Sequence, residues 1–340
     1  MDHTMRINSL PSITWNRMNI NDVTIDWQES SALTPVFFGC ETVTEKQVCN
    51  VPTGAGAAAD VAFAALPAYV VQAKEGEHKE TLMDLTAAAE KNGAAVLHLK
   101  AERHAKLTVY TRVRGMEHSH AALRLQLEAA EDAEIRLVEL LEPGQQGRLL
   151  HDVGGNVATN AKVQVLHLYL GKGDIYSGCR MELLGENADF TYEAGYLCQN
   201  RQVLDVNLIA NHIGKNTTCN LRADGTLKDS AQKTFRGTID FKRGCKGSVG
   251  AEQENVLLLG EDVVNKTIPL ILCAEEDVQG DHGASIGELD EDTLFFFGSR
   301  GIDPLTAENI LTREKLYRLA ETMGREDMAQ SARAAIEEVL

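Results

Sequence analysis

Ala105-Lys-Leu-Thr-Val-Tyr110, Ala133-Glu-Ile-Arg-Leu-Val-Glu-Leu140, Ala161-Lys-Val-Gln-Val-Leu-His-Leu168 and Ala188-Asp-Phe-Thr-Tyr-Glu193 are four versions of one phrase. Thr217 and Cys245 open two further copies, so successive starts lie 28, 28, 27, 29 and 28 residues apart. Each copy opens on a small residue, often just after Asn, Asp or Gly. Apolar and polar residues then alternate, the two-residue period of a strand with one buried face. A second strand-like run recurs midway, at 123–127, 149–153, 179–183, 204–209, 235–241 and 268–272. Turn residues such as Gly171-Lys-Gly-Asp174 and Gly214-Lys-Asn216 separate the runs.

A fixed period of paired strands predicts a solenoid, in which each unit buries its apolar face only by stacking on its neighbours. The fold expected is mainly β, a right-handed parallel β-helix. A sandwich of up-and-down hairpins fits the same alternation, because the repeat does not set strand direction. Three regions follow: an irregular, partly helical stretch over 1–65 that holds Trp15 and Trp27, the β-helix core over 66–300, and a helical region over 301–340. Past Pro304 the apolar residues fall at 310, 311, 316, 319 and 320, a helical spacing, and Gly324 is a C-cap before a second helix.

Of 340 residues, 44% are hydrophobic and 24% charged, as in an ordinary globular protein. A net charge of −17 argues against nucleic acid and against an anionic membrane surface. The most apolar window, 57–71, contains Asp60 and Pro67 and is too short to cross a bilayer. The N-terminal residues lack the apolar stretch of an export signal, so a cytoplasmic location is expected. Seven cysteines, none spaced Cys-x-x-Cys, read as reduced thiols rather than a disulfide framework or a zinc knuckle.

Few motifs carry chemistry. Gly54-Ala-Gly-Ala-Ala-Ala59 mimics a dinucleotide fingerprint but follows Asn50-Val-Pro-Thr53 rather than a hydrophobic strand, and is rejected. No Walker A sequence occurs, so any ATP hydrolysis belongs to a partner subunit. No hydrolase motif occurs either, and the chain is expected not to be an enzyme. Glu117-His-Ser-His120 is an isolated H-x-H pair without a third ligand. Asp152, Asp205 and Asp240 fall in strand runs. On an outer face of a β-helix such carboxylates would suit a polysaccharide lyase or hydrolase, and this carbohydrate-active reading is the alternative. A β-helix that binds proteins but no metal is a third.

The most specific segment is Asp277-Val-Gln-Gly-Asp-His-Gly-Ala-Ser-Ile-Gly287, followed by Glu288-Leu-Asp-Glu-Asp-Thr-Leu-Phe-Phe-Phe297 and Gly298-Ser-Arg-Gly-Ile302. It reads as a Gly-rich turn carrying His282, then an acidic helix start and an aromatic anchor. This segment closely resembles the end of the core in the SufB/SufD family, scaffold proteins of the SUF iron–sulfur cluster assembly system. The resemblance implies a β-helix, and a dimer made through the last core strands with a SufB-like subunit or with itself. It implies a SufC-type ATPase docked on the C-terminal helices. It also implies a transient cluster shared with a partner and no other cofactor.

The site residues follow from the same comparison. His282 matches the family histidine at the subunit interface, where an imidazole is a sound iron ligand. Cys273, at the end of the last core strand, is the second candidate ligand, since thiolates hold such clusters. Leu257, Leu259, Lys266, Ile268, Leu270, Leu272 and Asp281 join His282 at the expected interface. Gly280 stands where SufD proteins often carry a cysteine, and Val263 where SufB proteins carry the cluster thiolate. The first is a departure from the SufD pattern; the second, which removes the cluster thiolate of SufB, makes the chain SufD-like, an accessory scaffold rather than the principal cluster holder.

Overall fold

The structure, a computed structural model, describes residues 2–12, 16–28, 30–40, 42–46 and 51–340. Trp15 and Cys49 lie outside the described residues. Short strands β1 (Asp2–Ile7), β2 (Val23–Gln28), β3 (Ser31–Ala32), β4 (Val36–Phe38) and β5 (Val43–Lys46) come first, with helix α1 (Asp60–Phe63). The solenoid then runs through β6 (Pro67–Ala73), β7 (His78–Ala87), β8 (Asn92–Ala101), β9 (Lys106–Gly115), β10 (His120–Ala129) and β11 (Glu134–Glu142). It continues through β12 (Arg148–Val157), β13 (Lys162–Tyr169), β14 (Asp174–Leu183), β15 (Asp189–Cys198) and β16 (Val203–His212). β17 (Thr218–Lys228), β18 (Gln232–Phe241), β19 (Ser248–Leu259), β20 (Val264–Cys273) and β21 (Val278–Gly287) complete it.

Even-numbered strands form one sheet, β20 to β6 and then β5, and odd-numbered strands form the other, β21 to β7 and then β4. Every ladder from β6 to β21 is parallel, for example β9–β11–β13. Parallel pairing decides for the β-helix, of about eight coils, and against the hairpin sandwich. Among the described residues, antiparallel pairs are confined to β1–β2, β4–β7 and β5–β6, toward the start of the chain.

The repeat has a local cause. His104, Asp132, Asn160, Asn187 and Asn216 all take positive φ, between 54° and 58°. Short polar side chains tolerate that left-handed corner better than most. Ala105, Ala133, Ala161, Ala188 and Thr217 come next in sequence and are fully buried, because the corner leaves no room for more. Corner side chains also tie coil to coil: Asn160 Nδ2 donates to Asp132 at 3.0 Å, and Asn187 Nδ2 to Asn160 at 2.9 Å.

Inward-facing residues such as Leu97, Leu125, Val153, Leu137, Val165 and Tyr192 fill the prism as one apolar column. Both outer faces are covered. Helices α3 (Pro304–Glu321) and α4 (Glu326–Val339) and the turn between them lay Leu316, Ala320, Met323, Ala332 and Ile336 on Val138, Leu140, Leu166 and Leu168. Pro304 stands in the first turn of α3 as the sequence indicated, with Asp303 as the N-cap; the C-cap is Thr322 rather than Gly324, which lies at φ +83° in the turn before α4. The N-terminal segment covers the other sheet, packing Ile7, Trp27, Ala55 and Phe63 on Ala94, Val96 and Leu150.

This N-terminal cover accounts for Asp152 and Asp205. Asp152 is buried, accepting from Arg124 Nε at 2.9 Å and from Ala55 N at 2.8 Å. Asp205 is buried with Arg236 at 2.7 Å and Asn8 at 2.7 Å. The third carboxylate, Asp240, is paired with Lys242 at 2.5 Å. These carboxylates are therefore buried and paired rather than open on an outer face, and they form no polysaccharide cleft. Gly54 also has a packing role: a Cβ there would lie 2.0 Å from Cys179 N, so only glycine lets the backbone lie flat on the sheet.

Candidate functional site at the open end of the solenoid

The last coil ends both sheets. β20 is the edge of one and β21 the edge of the other, so each has a ladder partner on one side only. Pro269 sits within β20, a residue a strand tolerates at an edge because its missing N–H removes no interior ladder bond. The alternation of β19 buries Ser248, Gly250, Glu252, Glu254 and Val256, which face inward. Their register partners on β21 are Val278, Gly280, His282, Ala284 and Ile286. His282 thus continues the inward-facing column, yet it is exposed because no coil stacks above it.

This corrects the expectation of a turn around His282. Residues 278–287 are extended strand, because pairing with β19 overrides the weak β-propensity of their Gly, Asp and Ser. Gly283 has no neighbour that would meet a Cβ, whereas a Cβ on Gly280 would come within 3.0 Å of the Phe241 ring. Phe241 is also the ladder partner of Cys273. Cys273 and the start of β21 therefore share one corner. Its exposed Sγ donates to Glu275 O at 2.9 Å. Cys245, the neighbouring thiol, is buried in the apolar column. Among the described residues, no group of three His, Cys, Asp or Glu converges at this end.

Directly below lies a buried polar layer. Lys233 is ion-paired with Glu254 inside the prism. Glu254 also accepts from Thr267 Oγ1 at 2.6 Å and from Tyr196 OH at 3.4 Å. Glu252, only 4% exposed, has one carboxylate oxygen without a hydrogen-bond partner. Burial, reinforced by the Glu254 charge, pushes its pKa up to about 7.

The other expected interface residues are spread around this end. Asp281 and Lys266 are exposed. Leu257 is buried; Leu259 and Leu272 are half-buried. Ile268 and Leu270 pack against Leu10 and Ile20 of the chain's own N-terminal segment. Val263, in the turn after β19, packs half-buried on the core.

The aromatic run after β21 forms helix α2 (Glu291–Gly298), capped by Asp290, which accepts from Thr293 N at 2.7 Å. The expected anchor packs only in part: Phe297 is half-buried, whereas Phe295 is 77% exposed, Phe296 51% and Leu305, at the start of α3, 60%. A cluster of exposed large apolar side chains marks an interaction surface.

One constellation inside the prism was not singled out in the sequence. Glu139, His151 and His167 converge with no solvent exposure. Glu139 and His167 are ladder partners one repeat apart, and His151 faces them from the opposite sheet. Inward parity within the repeat was the available signal, since the position of His151 is held by Ala95, Leu123, Val206 and Phe235 in other coils. The H-x-H pair, by contrast, divides between the tight turn at His118 and the first residue of β10.

A family model described as "SUF system FeS cluster assembly, SufBD core domain" matches residues 69–315. The chain is 32% identical to the iron–sulfur cluster assembly protein SufD of Bacillus subtilis over 100 residues, 29% of this chain and 23% of that protein. It is 24% identical to SufD of Escherichia coli over 258 residues, 66% of this chain and 60% of the relative. A SufBD family protein of Synechocystis is 26% identical over 45% of this chain and 32% of its own length. The matched stretches thus span less than two thirds of these relatives.

Proposed function

The chain belongs to the SufBD family of iron–sulfur cluster assembly proteins, and on that premise we propose that it is a SufD-like scaffold subunit. It pairs through its last coil with a SufB-like subunit or a second copy of itself, and carries a SufC-type ATPase on its C-terminal helical region. The single observation behind this reading is the open end of the solenoid. Two unpaired strand edges, β20 and β21, meet there, with His282 and Cys273 exposed beside them.

The physical argument has two parts. Unpaired strand edges favour pairing with another chain, and Pro269 limits this on β20, so β21 is the better edge for a continuous ladder. His282 and Cys273 supply too few ligands for a cluster alone, so a partner must complete the set around the nascent cluster, which is cargo here. The exposed face of Phe295, Phe296 and Leu305 is the surface that would receive the ATPase. ATP-driven movement of that subunit would then strain the scaffold interface through α2, which joins β21 to α3.

Co-expression with a tagged SufC-type ATPase and a SufB-like protein, followed by size-exclusion chromatography, tests the reading. A complex containing the chain supports it. Recovery as a lone monomer that cleaves glycans would overturn it.

A further inference from the structure

We propose that Glu139, His151 and His167 bind one divalent first-row transition-metal ion, Zn2+ or Fe2+, inside the β-helix, separate from the open end where the cluster would be handled. The donor set comes first. Two imidazole nitrogens and one carboxylate oxygen are a ligand set shared by mononuclear zinc and non-haem iron(II) centres.

The geometry is convergent. His151 Nε2 and His167 Nε2 each lie 2.9 Å from the same oxygen, Glu139 Oε2, and all three atoms are within 4.8 Å of one another. Ligands about 2.1 Å from a common ion are themselves roughly 3 to 3.5 Å apart. Two of the three separations are close to that value, and the third is no more than 4.8 Å.

Glu139 Oε2 lies at hydrogen-bond distance from both His151 Nε2 and His167 Nε2, so the three buried atoms already point at one another, and a bound ion would take the place of those two contacts. In a dry interior, a carboxylate oxygen and two imidazole nitrogens aimed at one point suit a shared cation.

The atoms behind the donors are fully engaged. Thr111 Oγ1 donates to Glu139 Oε1 at 2.7 Å. His151 Nδ1 meets Ser177 Oγ at 3.1 Å. His167 Nδ1 meets Tyr169 OH at 2.7 Å and Tyr192 OH at 3.3 Å. Tyr169 OH is in turn 2.8 Å from Ser177 Oγ, which links the two imidazole supports. Such outer partners fix the tautomer and ring orientation, turning each Nε2 lone pair toward the ion.

Position gives the ion a role. Glu139 and His167 lie on β11 and β13 and His151 on β12, so one ion would staple the two facing sheets in mid-solenoid. With all three residues fully buried, the ion enters while the coils assemble rather than by diffusion into the finished prism.

The test uses the full chain expressed in medium supplemented with Zn2+ or Fe2+, purified through a chelator and counted by elemental analysis. About one ion per chain is expected in the wild type and in the Cys273→Ser/His282→Ala double variant, which removes the open-end donors. His151→Gln and His167→Gln should retain at least roughly tenfold less. Metal lost in the double variant, or equal in the wild type and both Gln variants, overturns the proposal. Should the Gln variants fail to fold, refolding the wild type with Co2+ decides. Visible d–d absorption at one equivalent supports the site, and its absence from correctly refolded protein sinks it.

Discussion

Glu252 and His282 are ladder partners on adjacent coils, one sealed beneath the last turn and the other open to water. The same inward-facing position is thus buried or exposed solely according to whether a further coil stacks on it. Glu252 feels that burial directly, with its pKa raised from the usual 4.5 to about 7.

The sign of the resulting pH dependence is fixed. The unfolded chain releases the Glu252 proton near pH 4.5, whereas the folded chain keeps it until about pH 7. Stability is therefore lost as pH rises through this window and levels off above it. Glu252→Gln should remove the loss, gaining about 3 kcal/mol over the wild type above pH 7 and little below pH 4.5. Urea unfolding of both proteins across pH 4 to 8 would show it, and parallel curves would count against the buried carboxyl.

Exposure makes the opposite prediction for His282. His282→Ala should change unfolding free energy by no more than about 0.5 kcal/mol, as surface substitutions do. It should remove most cluster formation when assembled with its partners. Cluster maturation at wild-type rate in that variant would reduce His282 to a bystander.

The exposed face of α2 gives a separable prediction. Phe295→Asp combined with Leu305→Asp should leave the melting temperature unchanged and abolish retention of a SufC-type ATPase in pull-downs. Both side chains are mostly in water already, so no core packing is removed. Undiminished ATPase binding would move the docking surface elsewhere.

Inside the prism, Lys233→Met should cost roughly 3 to 5 kcal/mol, because it leaves Glu254 buried without its cation. Adding Glu254→Leu should recover most of that loss. Chemical denaturation of the single and double variants measures both steps, and additive losses would contradict the pairing.

The sequence carried the repeat plainly. Corner residues such as Asn160 and Asn187 with the buried alanines after them are local, periodic requirements, so they recur at fixed spacing in the chain. The helix start at Pro304 and the break at Gly324 were legible for the same reason, since such signals act within one turn. The strand containing His282 was not, because Gly, Asp and Ser there have little preference for extension and only the β19 ladder imposes it.

What the chain alone determined, then, is the coil: its length, its alternation and its tight corners all depend on neighbours a few residues away. Tertiary structure decided everything that depends on which coil lies above, below or opposite. Parallel stacking set the strand direction, buried Asp152 and Asp205 under the N-terminal segment, and left His282 uncovered. It also brought Glu139, His151 and His167 together from three strands, since residues 12 to 28 apart in sequence become neighbours only when successive coils fall into register.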